Sequence, residues 1–300
     1  MRRRSLREAL DAERPLVTPL AHDALSARLI ARAGFRAFAV GGSALLAARH
    51  ALPDIGLIGL RDMTESLSDL AAATDLPFLA DADDGYGDVK AVARMVAAYE
   101  AIGVSGLLLE DQTRDRKQQR ADHGGSVVDR GVIEQKLATA LAVRSSPDTF
   151  IIGRTDAFGA LGLDEALRRA ERFLALGCDG VFVAGLKTAE DLERVGRTLR
   201  GAILSAAMFE GGTPWLTPAE LGCMGFRHVS YPASLMFRIV RIMADALREL
   251  RAASTGAGAF PPMQAPDKAR AILDAAVDID RWRGLERATA ARTSAQEGSP

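Results

Sequence analysis

Eight short apolar runs alternate with seven segments of helical periodicity, and this beat limits the folds open to the chain more than any other feature. The runs lie at residues 16–20, 37–41, 77–81, 105–110, 149–154, 180–184, 201–205 and 227–231. Between them, residues 22–33, 60–74, 89–102, 130–144, 163–176, 189–199 and 218–224 place apolar side chains at i, i+3, i+4 and i+7, the stripe of an amphipathic helix. Gly34, Gly103, Gly177 and Gly225 stand where helix C-caps belong. Apolar runs bounded by Gly, Pro and polar residues read as buried parallel strands. Eight strand–helix units predict an α/β fold, a closed (β/α)8 barrel of TIM type. An open doubly wound sheet is the alternative. Such a sheet carries a Gly-rich phosphate loop after its first strand, and Pro19-Leu20-Ala21-His22 is not one.

The beat also sets the boundaries. Residues 1–14 read as an N-terminal helix with Leu6 and Leu10 on one face, and residues 15–252 as the barrel. Residues 253–284 read as a hinge and a C-terminal helix, and the Ala-, Thr- and Ser-rich residues 285–300 as a disordered tail. A net charge of −1 gives no footing for nucleic acid or an anionic membrane as partner. No stretch approaches 18 uncharged apolar residues, so no membrane span is expected, and the charges after Leu6 break any signal-peptide pattern. Cys178 and Cys223 lie outside any CxxC pair. They are expected to be buried free thiols in a reducing cytoplasm.

Chemistry concentrates at the ends of the third and fourth runs. Asp81-Ala82-Asp83-Asp84-Gly85-Tyr86-Gly87 follows one and Glu110-Asp111-Gln112 ends the other. At the carboxyl ends of parallel strands such side chains face the ligand crevice. Clustered carboxylates repel unless a cation joins them, and hard oxygen donors suit Mg²⁺ or Mn²⁺. Helix capping by Asp83 or Asp84 ahead of Val89 is the alternative, but capping needs one carboxylate rather than several. Arg154, at the end of the fifth run, is suited to grip a substrate carboxylate, or else to pair internally with Asp156 or Glu110. The amides of Gly41-Gly42-Ser43 either cradle an anionic oxygen or form a plain turn. His22 either faces the site or has a helix-capping or surface role. The polar residues 113–129 form a mobile lid or a solvated connection.

With these residues in view, the chain resembles the isocitrate lyase and phosphoenolpyruvate mutase superfamily. The likeness rests on His22-Asp23-Ala24-Leu25-Ser26-Ala27, Gly41-Gly42-Ser43, Leu52-Pro53-Asp54-Ile55-Gly56, the two acidic stretches, Gly153-Arg154-Thr155-Asp156 and Gly211-Gly212-Thr213-Pro214. It implies Mg²⁺ (or Mn²⁺) held by Asp81, with Asp83, Glu110 and Asp54 reaching the ion directly or through water. It implies a small-molecule 2-oxo or 2-hydroxy dicarboxylic acid bound by Gly41, Gly42, Ser43, Asp81, Arg154 and Glu210, with Arg154, Glu110 and Tyr86 as candidate catalytic residues. It also implies a homotetramer, a dimer of dimers that exchange the eighth helix, with residues 254–262 as hinge.

Departures bear on the reaction. The superfamily's carbon–carbon lyases carry a general-acid Cys where Gln118 falls, a Glu where Ala184 stands and an Asn where this chain reads Ala206-Ala207-Met208-Phe209-Glu210. These changes resemble the oxaloacetate decarboxylase branch, although Tyr231-Pro232-Ala233 lacks that branch's His. The expected reaction is metal-dependent decarboxylation of an oxaloacetate-like acid through an enolate. Retro-aldol cleavage of the methylisocitrate or dimethylmalate type, mutase-like P–C chemistry and a metal-binding pseudoenzyme are the alternatives.

Overall fold

The apolar runs become eight parallel strands in the computed structural model, which describes residues 4–114, 117, 126–212 and 214–297, the last eight by their backbone alone. In chain order the elements are α1 (Leu6–Ala12), β1 (Leu16–Pro19), α2 (Ala24–Arg32), β2 (Phe38–Val40), α3 (Gly42–His50), α4 (Leu60–Ala73), β3 (Phe78–Asp81), α5 (Val89–Ile102) and β4 (Gly106–Glu110). Then come α6 (Arg130–Val143), β5 (Phe150–Thr155), α7 (Ala157–Leu161), α8 (Leu163–Ala175), β6 (Gly180–Val183), α9 (Ala189–Thr198), β7 (Ile203–Ala207), α10 (Pro218–Cys223) and β8 (His228–Tyr231). Helices α11 (Ser234–Ser254), α12 (Pro266–Ala276) and α13 (Ile279–Glu297) complete the chain.

Each strand pairs in parallel with its sequence neighbour from β2 through β8, and β8 pairs back onto β1. Between β1 and β2 the barrel closes through a single bridge, Leu20 to Ala39, where the Ala21 N–H donates to the Ala39 carbonyl at 2.9 Å. The (β/α)8 expectation holds. Outside the strands, buried side chains such as Met63, Leu67, Val92, Met95, Tyr99, Leu137 and Phe173 pack helices onto the sheet. Gly153 of β5 lets Phe173 of α8 lie against the strand, since a Cβ there would meet its ring 2.6 Å away.

The base of the barrel, at the amino ends of the strands, is stoppered by α1. Ser5 caps this helix by accepting from the Glu8 N–H at 3.4 Å. Leu6 and Leu10 join Leu16, Leu79, Phe150 and Ile152 in one buried cluster. One polar group sits nearby: the ring nitrogens of His228 lie 2.7 Å from the Thr18 hydroxyl and 3.0 Å from that of Ser205. Burial drops the His228 pKa to about 4, so the ring is neutral.

The chain divides into two compact units, residues 1–239 and 240–300. In the second unit Ile242, Met243, Leu247, Ile272 and Trp282 are exposed. Beyond Gly284, where the composition suggested a disordered tail, the backbone continues as α13 to Glu297. Ala, Arg and Glu are good helix formers and no Pro interrupts them. Cys178 is buried, which raises its thiol pKa to about 12, but Cys223 is exposed rather than buried. It ends the short α10, whose buried contact is Leu221. Among the described residues, no helix is long and apolar enough to cross a membrane.

Candidate active site

The turn after β3 is the most contorted backbone of the barrel. Asp83, Gly85, Tyr86 and Gly87 all have positive φ, at 46°, 84°, 62° and 149°. For Asp83 and Tyr86 this conformation costs on the order of 1–3 kcal/mol each. Hydrogen bonds hold it: the Asp83 N–H donates to Asp81 Oδ1 at 3.1 Å, the Tyr86 N–H to Asp84 Oδ1 at 3.1 Å, and the Glu110 N–H to the Asp83 carbonyl at 2.9 Å. Capping of α5 falls to Asp88, which accepts from Lys90 and Ala91. Neither Asp83 nor Asp84 caps that helix.

The acidic residues part into two groups. Asp84 pairs with Arg114 at 2.7 Å and lies 3.5 Å from Lys136 Nζ. Asp111 accepts from the Thr155 hydroxyl at 2.7 Å, the Asp156 N–H at 2.8 Å and Arg169 at 3.0 Å. Both are braces. Asp83 and Glu110 instead converge with Asp54, from the loop after α3, on the ammonium of Lys117. Its Nζ touches Asp83 Oδ1 and lies 2.9 Å from Asp54 Oδ1 and 3.6 Å from Glu110 Oε1. Sequence reasoning passed over Lys117 because it sits in the polar loop among similar residues. The ends of that loop are zipped together, with the Thr113 N–H donating to the Ser126 carbonyl and the Val128 N–H to that of Asp111, each at 2.8 Å. Gln118 lies outside the described residues.

Electrostatics follow from this crowding. Burial opposes the Lys117 charge, but Asp81, Glu110, Asp83 and Asp54 outweigh it and raise its pKa, so it stays an ammonium. Burial and the Asp81 charge lift Asp83 to about 6 against the pull of Lys117. Burial pushes Asp81 upward too, yet Lys117, Arg154 and the N–H groups of Asp83 and Gly42 bring it below the ordinary carboxylate value. Glu110 is raised well above that value by burial, despite Arg154.

Several expected substrate contacts are spoken for. Arg154 forks onto Asp156 through Nε at 2.9 Å and Nη2 at 3.0 Å. Its Nη1 lies 2.9 Å from Glu110 Oε2, off the hydrogen-bond direction, across the register pair Glu110–Arg154. The internal salt bridge is thus the arrangement found, rather than an open carboxylate clamp. Gly41-Gly42-Ser43 opens α3, with Gly41 at the N-cap, so the segment is a helix start rather than a plain turn. The Gly42 N–H donates to Asp81 Oδ2 at 3.4 Å. A Cβ on Gly42 would lie 2.8 Å from Asp54 Oδ2, so glycine makes room for Asp54. Ser43 is exposed.

Tyr86, expected among the catalytic groups, has its hydroxyl 2.9 Å from that of Tyr99, which donates to the Asp81 carbonyl at 2.9 Å. Burial lifts the Tyr86 pKa well above its usual value. The residue props the turn. Glu210 is exposed and pairs with Arg238 at 2.5 Å. His22 is buried and its Nδ1 has no hydrogen-bond partner among the described residues, while Asp23 caps α2.

Whether these residues suit a divalent ion is testable on the geometry. Asp54, Asp81, Asp83 and Glu110 offer the hard oxygen donors that Mg²⁺ takes, and a point cation already rests on three of them. Gln112, lining the same pocket, has a buried Oε1 without a hydrogen-bond partner among the described residues. As the side chains stand, however, no three His, Cys, Asp or Glu among the described residues are set to hold a metal. The donors fit; the position is filled by an ammonium.

Comparison with known proteins bears on the chemistry. The family model described as phosphoenolpyruvate phosphomutase matches residues 6–251. The 2,3-dimethylmalate lyase of Eubacterium barkeri is 34% identical, over 86% of this chain and 89% of that protein. A probable 2-methylisocitrate lyase of Corynebacterium glutamicum is 36% identical over 88% and 86%. An oxaloacetate decarboxylase of Bradyrhizobium sp. is 34% identical over 76% and 77%. A crystal structure of 2,3-dimethylmalate lyase, described as a PEP mutase/isocitrate lyase superfamily member, aligns with a TM-score of 0.82 at 28% identity, covering 95% of this chain and 97% of that one. The chain therefore belongs to the phosphoenolpyruvate phosphomutase family, as an enzyme of the carbon–carbon lyase kind.

Proposed function

We propose that the enzyme uses a divalent cation, Mg²⁺ or Mn²⁺, to cleave a carbon–carbon bond in a small 2-oxo or 2-hydroxy dicarboxylic acid through an enolate. Decarboxylation of an oxaloacetate-like acid is the leading reaction. The convergence of Asp54, Asp83 and Glu110 on one point cation, with Asp81 pulled down in pKa by the same charge, carries this reading. Those four side chains would hold the ion. When bound, it supplies a Lewis acid that polarises a 2-oxo group and offsets the negative charge developing on it.

The chain's own groups do the rest. Ser43 and Ala44, in the first turn of α3, have amides with no partner inside the helix, at the end where the helix dipole favours an anion. They suit a substrate carboxylate or enolate oxygen. Arg154 positions Glu110 and Asp156, and an incoming carboxylate would compete with Asp156 for its fork. Ala184 and Ala206 are buried and offer no ionisable group. Their side chains favour a reaction that needs only an electron sink, with water supplying the later proton.

Retro-aldol cleavage of a dimethylmalate-like acid is the second reading, favoured by two of the relatives above. Pyruvate release from oxaloacetate and from 2,3-dimethylmalate, each with Mg²⁺ or with EDTA, separates the two. Inertness toward both acids, or turnover indifferent to EDTA, counts against the proposal. We further infer a cytoplasmic homotetramer built by exchange of the last barrel helix, on the strength of the apolar side chains exposed on the second unit. Light scattering that gives a monomer would refute the assembly.

A further inference from the structure

Lys117 is the least expected group at the barrel mouth. Its side chain is 4% exposed, and its ammonium is in contact with carboxylates from three separate segments. Lysines are almost never this buried without paired charge. Little else in the described contacts fixes the residue: its backbone N–H reaches the Arg114 carbonyl at 3.5 Å. The ion pairs hold it.

Two cations serve this cluster, and they are held differently. Arg154 is locked by a planar fork onto Asp156 besides its approach to Glu110. Lys117 is a compact charge at the end of a flexible stem, and its three partners are oxygens assigned above to the divalent ion. One set of oxygens cannot serve both, and an ammonium beside a divalent ion in a buried site is strongly repelled.

We propose that Lys117 is a built-in competitor for the divalent cation. Its ammonium holds the cation position of Asp54, Asp83 and Glu110 in the metal-free enzyme and must leave it when metal enters, so that loading is an exchange of one cation for another. The proposal rests on the metal reading of this site given above. It makes Lys117 a determinant of metal affinity, and it accounts for a cluster of hard donors that is not arranged as a metal cage while the lysine is in place.

The test is Mn²⁺ binding to the full chain, followed by the electron spin resonance signal of free Mn²⁺, for the wild type, Lys117→Gln and Lys117→Arg. Lys117→Gln is expected to bind Mn²⁺ at least tenfold more tightly, and Lys117→Arg no more tightly than the wild type. Mass-spectrometric mapping of lysine acylation in the wild type needs no variant. Mn²⁺ is expected to raise labelling of Lys117 severalfold while leaving exposed Lys90 unchanged. Equal or weaker Mn²⁺ binding by folded Lys117→Gln, or labelling of Lys117 that Mn²⁺ leaves unchanged, overturns the exchange but spares the metal site. No Mn²⁺ binding by wild type or Lys117→Gln overturns both.

Discussion

The two ends of the barrel handle buried polar groups in opposite ways. At the base, α1 closes an apolar cluster around one neutral imidazole, and both His228 nitrogens have hydroxyl neighbours. At the mouth, Asp54, Asp81, Asp83, Glu110 and Asp156 crowd around Lys117 and Arg154, and the turn carrying Asp83 runs through a string of left-handed residues. A satisfied polar core stabilises. An excess of acidic groups over cations on strained backbone is retained at a cost in stability, the pattern expected where binding or catalysis requires it. The contrast makes the mouth the place where substitutions damage activity and the base the place where they damage stability.

Asp81→Asn should break the mouth with the largest effect. The amide keeps the volume and an acceptor for the Asp83 N–H but removes one charge from the surplus. Turnover of the best substrate should fall about a thousandfold, the scale of losing a key electrostatic group. The melting temperature without metal should hold or rise. A variant with near-normal turnover would show that the acidic surplus is not the working part.

The base should answer to pH instead. Burial drops the His228 pKa from 6.5 to about 4, so between those values the unfolded chain binds more protons than the folded one. The stability that neutral His228 contributes is therefore complete above pH 6.5 and is lost as pH falls toward 4. The loss amounts to about 3 kcal/mol at ~1.4 kcal/mol per pKa unit. Urea unfolding across that range should show a steeper acid loss in wild type than in His228→Gln. Equal slopes would mean that the imidazole does not titrate as its surroundings dictate.

How much of this contrast could be read from residues alone follows from geometry. Helical and strand periods made the barrel legible, because burial on one face repeats along the chain. The helix α3 leaves no such mark, since Gly41-Gly42-Ser43 reads as a turn and Gly41 offers no capping side chain. Asp81, Asp83 and Glu110 were legible as a group, but Asp84 and Asp111 were grouped with them. Neighbours one residue apart at a strand end point to opposite sides, so adjacency in sequence joined what the fold separates. Lys117 gave no signal, because a lysine in a polar loop carries no mark of where its ammonium will go. Nor did sequence show that Gly42 serves Asp54, a contact between a helix start and the loop after it.

That contact gives a smaller way to sharpen the comparison. Gly42→Ala would set a methyl 2.8 Å from Asp54 Oδ2, and Asp54 is one of the carboxylates that hold the Lys117 ammonium. The backbone at Gly42 is helical, so alanine itself is tolerated there. Displacing Asp54 should reduce kcat/KM roughly tenfold, in keeping with the sensitivity of active sites to small misplacements. Circular dichroism should be unchanged. Full activity would mean that Asp54 relaxes without consequence, which would remove it from the ion's shell.

Tyr86→Phe carries the smallest expected effect and decides whether a residue of the mouth can belong to its scaffold. Its hydroxyl engages Tyr99, and Tyr99 in turn donates to the Asp81 carbonyl. Removing the Tyr86 oxygen leaves that second bond standing and keeps the ring beside the Arg114 guanidinium, 5.5 Å from the ring centre. One neutral hydrogen bond is worth about 1 kcal/mol of stability, and kcat should fall by less than about threefold with the pH–rate profile unmoved. A hundredfold loss with an altered basic limb would instead make the phenol a proton donor, and the division between strained working groups and satisfied supporting ones would have to be redrawn through the turn itself.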